Sequence, residues 1–175
     1  MNVQLKWNGT DITNQVLTYT RSQHICTGVG TCVVEFTGNS TIVINTFDLI
    51  TVYEEGRLMG TYYVSEVTKA YNGWARSANC QDETKKIADY FIGESYILNQ
   101  YPEELTYPVD CRYWIDKFLT EATVNHVFDV DTTGGTLSNN TTMGLATCSD
   151  TVIPLLQQSG WYFYADANNL VHIGN

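Results

Sequence analysis

Basic residues are scarce: nine Lys and Arg stand against nineteen Asp and Glu, a formal charge of −10 at neutral pH. Binding a phosphate backbone requires clustered cations, and Lys85-Lys86 is the one basic pair, so direct sequence-specific nucleic-acid binding is disfavoured. Long apolar runs are also missing. Nothing approaches the roughly twenty residues of a membrane span, and the opening "MNVQLKWNGT" has neither the basic nor the apolar region of a secretion signal. No membrane partner is expected, and the protein is predicted to be soluble and not classically secreted. Paired cysteines are lacking too. Cys26, Cys32, Cys80, Cys111 and Cys148 make an odd number at irregular spacings, which argues against a disulfide framework and for reduced, mostly buried thiols in a reducing cytoplasm. There is no P-loop, no G-x-G-x-x-G after a strand, no G-x-S-x-G elbow and no H-E-x-x-H.

What is present is apolar and aromatic mass: 43% hydrophobic and 13% aromatic residues in a chain of 175, enough to bury a core as one domain or two small ones. The first 80 or so residues divide into short alternating segments. "VQLKW" (Val3–Trp7) meets Asn8-Gly9, "QVLTYTR" (Gln15–Arg21) alternates again, and "TCVVEF" (Thr31–Phe36) follows Gly28 and Gly30. Two hairpins follow, turning at Glu55-Gly56 and at Asn72-Gly73; the second dipeptide predicts a type I′ turn. An antiparallel meander is the reading, closed or nearly closed into a small barrel so that few edges stay unpaired.

At Asp82 the period changes. "DETKKIADYFI" offers an Asp cap, with Ile87, Tyr90 and Phe91 on one helical face. Residues 93–107 lack a sustained period and read as a connection. Pro108 then suits a first helical turn, followed by Cys111, Trp114, Ile115, Phe118 and Ala122 at helical spacing. A strand is expected over Val127–Val130, and a polar loop over Asp131–Thr142. A helix is expected from near Ser149 to Ser159, capped near Asp150 or Thr151 so that Pro154 falls in its first turn, with Gly160 as its stop. The chain ends in "WYFYADANNLVHIGN": Trp161, Phe163 and Ala165 face one way, Tyr162 and Tyr164 the other, and the terminal strand presents an edge that needs pairing. The predicted fold is therefore α+β and mainly β: a small antiparallel barrel or meander closed by a short helix (1–92), a connection (93–107), and an α+β second domain with two helices and a C-terminal hairpin (108–175).

Candidate chemistry is thin. His24, Cys26 and Cys32 lack the paired spacing that closes a tetrahedral metal site, and buried structural thiols explain them better. His126 or His172 beside Cys111 or Cys148 would make a nucleophile and base, with nothing local to support it. Glu54-Glu55 belongs to a turn and Glu103-Glu104 to the connection. Asp129 and Asp131 flank a strand end without the remaining ligands of a calcium loop, so all three pairs read as solvated acids. No catalytic residue, metal ligand or cofactor is predicted, and the chain is not read as an enzyme. The numerous aromatics suit cores and interfaces, with Trp74, Tyr162, Tyr164, Leu170 and His172 as interface candidates.

Two stretches carry a resemblance. "FDLITVYEEGRLMGTYYVSEV" followed by "CQDETKKIADYFI", and the closing "LLQQSGWYFYADANNLVHIGN", resemble the baseplate or tail hub proteins of tailed bacteriophages, the T4-like and Mu-like hub or late-control family. That family shows a D-x-I-x-V-Y strand, a G-x-Y-x-V strand, a K-K-x-x-D-Y helix and a final SGW, aromatic strand, D-x-x-G turn and L-H-I strand; here Asn169 stands where a turn glycine is common. Together the two stretches cover about half the chain. The resemblance implies a virion protein of the tail or baseplate, assembled in the host cytoplasm. Such a hub subunit forms a cyclic homo-oligomer, a trimer being favoured, and joins the tail tube to a central spike or tip. Such hubs are commonly longer, which implies a truncated, split or minimal member with an incomplete second domain. The alternative is a carbohydrate- or receptor-binding β module, monomeric and with an exposed aromatic platform.

Overall fold

A computed structural model describes residues 2–23, 29–97, 109–129, 135–137 and 142–175. These divide into two compact units: unit 1 within Met1–His24, Gly28–Glu83 and Ala165–Leu170, and unit 2 within Thr84–Tyr164 and Val171–Asn175. The protein is α+β and mainly β, with three α-helices among the described residues.

Unit 1 is one seven-stranded antiparallel sheet of β1 (Val3–Trp7), β2 (Thr10–Asp11), β3 (Val16–Ser22), β4 (Thr31–Phe36), β5 (Leu49–Glu54), β6 (Arg57–Lys69) and β7 (Ala75–Gln81), in the order β2-β1-β5-β6-β7-β4-β3. Hairpins β5-β6-β7 form the centre, the β1-β2 hairpin adds to one side and β3-β4 to the other. The sheet curls into a half-barrel with β2 and β3 at its two edges, in keeping with the antiparallel barrel or meander expected. The curl shows in the side chains: β3 and β5 have three strands between them in the sheet, yet the Tyr19 hydroxyl donates to Glu54 Oε1 at 2.8 Å across the concave side. Alternation supplies the core beneath, with Leu5, Val34, Ile50, Val52, Val64 and Ala78 almost wholly buried. Their concave-face burial follows the period-2 pattern already visible in the strands.

Turn chemistry departs from expectation in one place. Asn8-Gly9 and Glu55-Gly56 both have two positive φ angles (45° and 84°, 49° and 77°), the type I′ pattern. At Asn72-Gly73 only the glycine is left-handed (φ 83°). Gly73 N–H donates to the Ala70 carbonyl and Ala70 N–H to the Trp74 carbonyl, so this is a three-residue loop with a left-handed glycine, and Asn72 Oδ1 accepts the Trp74 N–H instead of supplying positive φ.

Unit 2 consists of α1 (Thr84–Asp89), β8 (Phe91–Ile97), β9 (Val109–Asp110), α2 (Cys111–Glu121), β10 (His126–Phe128), β11 (Thr136–Leu137), β12 (Thr142–Thr147), α3 (Cys148–Ser159), β13 (Tyr162–Ala165, whose last residue belongs to unit 1) and β14 (Val171–Gly174). Four boundaries differ from the sequence reading. Helix α1 ends before Tyr90, and Phe91 opens a strand with its side chain exposed, so of the expected apolar face only Ile87 is buried. Residues 93–97 belong to β8, paired with β12, while 98–108 lie outside the described residues and Pro108 with them. Helix α2 starts at Cys111 because the Asp110 carboxylate caps it, accepting the Arg112 N–H at 2.8 Å. Helix α3 starts at Cys148 with Thr147 as cap: Thr147 Oγ1 accepts the Asp150 N–H at 3.1 Å and donates to Asp150 Oδ2 at 2.7 Å. Pro154 thus lies inside the helix rather than in its first turn. Gly160 ends α3 as expected, with φ 68° and the Trp161 N–H bonded to the Leu156 carbonyl.

The largest correction concerns the chain's end. Strand β14 is the centre of a three-stranded sheet, β10-β14-β13, paired in parallel with β10 through His126 with Val171, Val127 with His172 and Phe128 with Ile173. It offers no open edge, because β10 fills it. Val130 and the loop residues 131–134 and 138–141 lie outside the described residues, whereas Thr136–Leu137 inside the expected loop pair with β9.

Candidate functional site

Inside the curl of unit 1 the polar side chains form a lock. Glu54 Oε1 accepts from Tyr19 and from Arg21 Nε at 3.3 Å, so Glu54 is not the solvated turn acid that its position beside Glu55 suggested. Burial, then the Glu54 hydrogen bond and charge, push the Tyr19 hydroxyl's pKa up; burial acts to lower that of Arg21, but the bond and charge of Glu54 together with Tyr62 outweigh it and raise it. Beneath them burial pushes the Cys32 thiol up to about 12 and the Cys80 thiol higher still. Thiols held so far from ionisation are not nucleophiles. Cys148 in unit 2 is likewise raised to about 12 by burial, and Cys32, Cys80, Cys111 and Cys148 are all unpaired and buried.

At the end of β7, Asp82 Oδ2 accepts the Gly30 N–H at 3.0 Å, and a β-carbon at Gly30 would collide with that carboxylate. Asp82 lines a recess with Gln23, Thr61, Tyr62, Ala165 and Asp166, of about 10 Å³, which is the space of one water molecule and far below a substrate site. The turn 165–170 is fixed in unit 1 by three bonds: Gln23 Nε2 to the Ala165 carbonyl (2.7 Å), Thr61 Oγ1 to the Ala167 carbonyl (3.0 Å) and Glu83 N–H to Asn169 Oδ1 (2.6 Å). Asn169 has φ 66°, which explains why glycine suits that position and why asparagine, which tolerates the left-handed region, can replace it.

The interface candidates fall into two groups. Tyr162, Tyr164 and His172 share one face of the β10-β14-β13 sheet, opposite the buried Phe163, Val171 and Ile173. His172 Nδ1 lies 3.0 Å from both oxygens of Asp129, and its ring stacks on Tyr164 with centroids 5.1 Å apart and planes at 10°. Tyr162 is tilted against Tyr164 at 6.4 Å. Asp129, read as a solvated loop acid, thus orients His172, a pairing of residues 43 apart for which the sequence carries no signal. Leu170 and Trp74 belong to unit 1, Leu170 in the 165–170 turn with its N–H on Asp166 Oδ1 (2.9 Å), and Trp74 half-buried at the base of the β6-β7 turn. Among the described residues no three His, Cys, Asp or Glu side chains group as metal ligands, and no helix there is long and apolar enough to cross a membrane. His24 and Cys26 lie outside the described residues.

Comparison of folds bears on what these features serve. No family model and no curated protein matches the chain in sequence. Solved structures do match in fold. The 43 kDa tail protein of prophage MuSo2 from Shewanella oneidensis aligns with TM-score 0.64 and 16% identity over 99% of this chain and 55% of its own. The tail protein from Neisseria meningitidis MC58 aligns with TM-score 0.64 and 9% identity over 98% of this chain and 50% of its own. The chain has the fold of these tail proteins. Prophage tail protein gp18 from Listeria monocytogenes EGD-e extends the likeness, with TM-score 0.55 and 10% identity over 99% of this chain and 50% of its own. The chain spans about half the length of each.

Proposed function

We propose that this chain is a non-enzymatic structural component of a bacteriophage tail, a hub subunit that forms a ring joining the tail tube to a central spike or tip. The supporting observation is that 98–99% of the chain superposes on tail proteins, with both units included in the aligned span. The hub-like "D-x-I-x-V-Y" and "SGW" stretches add to it, since they fall on β5 and on the α3-β13 junction. Ring assembly takes place in the host cytoplasm before incorporation into the virion, and a trimer is the favoured state. A net charge of −10 would also suit a lumen through which DNA passes, since carboxylates repel phosphates and keep the polymer from sticking.

The native mass of the purified protein, with electron micrographs of any rings, tests this. A ring-forming hub gives a cyclic oligomer with an open centre; a clean monomer that binds saccharides would replace it with the carbohydrate- or receptor-binding module.

A further inference from the structure

Asn-Gly occurs twice in the chain, at Asn8-Gly9 and Asn72-Gly73, and both fall in hairpin turns of unit 1. The dipeptide carries a chemistry of its own besides its turn preference. Glycine has no side chain to shield its backbone nitrogen, which can therefore reach the amide carbon of the asparagine before it. In a folded chain the outcome depends on how firmly the asparagine side chain is held. At Asn8 both amide atoms are bound: Oδ1 accepts the Leu49 N–H at 2.8 Å and Nδ2 donates to Asp48 Oδ1 at 3.0 Å. Asp48 is itself anchored, accepting from Trp7 Nε1 and from the Asn45 N–H, each at 2.9 Å. Burial acts to raise the Asp48 carboxyl's pKa, but the Asn45, Asn8 and Trp7 donors outweigh it and hold it below its ordinary value, so Asn8 is bonded to a charged acceptor.

Asn72 is held differently. It is exposed at the tip of the β6-β7 hairpin, and among the described residues one bond holds its amide, in which Oδ1 accepts the Trp74 N–H at 3.2 Å. Gly73 N–H, the group next to that amide, donates to the Ala70 carbonyl at 2.9 Å, and Ala70 N–H donates to the Trp74 carbonyl at 2.8 Å. All three bonds lie inside the turn, and an exposed hairpin tip opens at small cost without unfolding its strands. At the base of the turn Lys69 pairs with Ala75, whose N–H is held by the Ile42 carbonyl at 2.8 Å, so the opening ends there. Releasing Asn8 instead breaks bonds that tie its turn to the start of β5, because Asn8 N–H also donates to the Leu49 carbonyl at 2.9 Å.

We infer that Asn72 is a site of spontaneous deamidation in the folded chain and that Asn8, with the same neighbour, is protected. Gly73 N gives its proton to hydroxide and attacks Asn72 Cγ; the new C–N bond forms, the Cγ–Nδ2 bond breaks, and ammonia leaves with a proton from solvent. Water then opens the resulting cyclic imide. Cleavage of the nitrogen's bond to the side-chain carbon leaves aspartate at position 72, and cleavage of its bond to the main-chain carbonyl carbon leaves isoaspartate. Either product adds a negative charge to a chain of −10, and isoaspartate also inserts a methylene into the backbone of the loop that holds Trp74. A virion protein is not renewed after release, so on the tail reading the change accumulates with the particle's age, although the chemistry itself does not depend on that reading. Ageing the full-length protein in mildly alkaline buffer, native and in guanidinium chloride, tests the inference, with peptide mapping by mass spectrometry and chromatographic separation of the two products. In the native chain Asn72 should convert faster than Asn8 by about tenfold or more, because Asn8 must first give up two amide bonds, one of them to a carboxylate. In guanidinium chloride the two sites should convert at similar rates, since no fold holds either side chain. Equal native rates, a faster Asn8, or a native Asn72 that stays intact while the denatured chain converts would each overturn it.

Discussion

The two units are built by different kinds of pairing. In unit 1 the strands β5, β6 and β7 follow one another in sequence and in the sheet, each joined by a turn of a few residues. In unit 2 the central pairing is parallel and joins His126–Phe128 to Val171–Ile173, while β8 finds β12 from the other side of α2. Local pairing needs only a turn and an alternating pattern, whereas distant pairing must be stabilised by what packs on it. Unit 2 should therefore depend more heavily on its helices than unit 1 does on any one side chain, and substitutions can break or sharpen that contrast.

The largest effect is expected at Trp114, wholly buried on α2 and stacked on Phe118 with centroids 5.6 Å apart. Trp114→Ala should cost about 3–5 kcal/mol, read from denaturant midpoints. Amide exchange read residue by residue should accelerate in α2, α3 and β14. Equal acceleration in β5-β7 would mean that both units unfold as one and that the contrast does not govern stability.

Pro154 gives a change of opposite sign. Inside α3 it has no N–H for the Asp150 carbonyl and its ring crowds the preceding turn. Pro154→Ala should stabilise unit 2 by up to about 3 kcal/mol, measured by the same midpoints, and a loss of stability would show that packing around the ring outweighs the restored bond.

How far each unit could be read from sequence follows the same division. Val3–Trp7, Thr31–Phe36 and both central hairpins were legible because alternation and turn dipeptides are neighbours in the chain. The face of α2 was legible from the spacing of Cys111, Trp114, Ile115 and Phe118, all buried. Its start was not, because Pro108 suits a first turn and only the Asp110 side chain's bond to the Arg112 N–H fixes the cap. Nothing local could show that β10 would fill the edge of β14, that Asp129 would orient His172, or that Glu54 would reach Tyr19 across the curl. Nor does any composition rule place a phenylalanine in the left-handed region, where Phe47 has φ 70°.

Asn169 tests the turn that unit 1 takes from the chain's end. Glycine there would relax φ 66°, a gain that asparagine's own tolerance of this region keeps small, but would remove the 2.6 Å acceptor of the buried Glu83 N–H. The lost acceptor wins: Asn169→Gly should destabilise by about 1–2 kcal/mol despite being the residue the resemblance favours at this position. A thermal midpoint equal to or above wild type would mean that backbone conformation, not the bond, fixes this turn.

The smallest effect is expected at the short edge of unit 1. Asp11 on β2 accepts from Thr13 Oγ1 (2.6 Å), Gln4 Nε2 (2.7 Å) and the Thr13 N–H (2.9 Å), and these bonds, the Thr13 hydroxyl foremost, lower its pKa from 3.8 to about 2. A carboxyl whose folded pKa is depressed contributes stability that is fully present above the unfolded value and disappears as pH falls through the folded one, here between 3.8 and about 2. Because Asp11 is fully exposed, solvent screens the contribution and the change should be local. The Asp11 carboxyl carbon should titrate with a midpoint near 2, and exchange should rise first at Leu5, whose N–H is held by Thr13 Oγ1 at 2.9 Å. Asp11→Asn should flatten the dependence of stability on pH within that window while leaving β5-β7 unchanged. If acid instead opens β5-β7 together with the edge, unit 1 has no separable rim, and the independence credited to its local hairpins is lost.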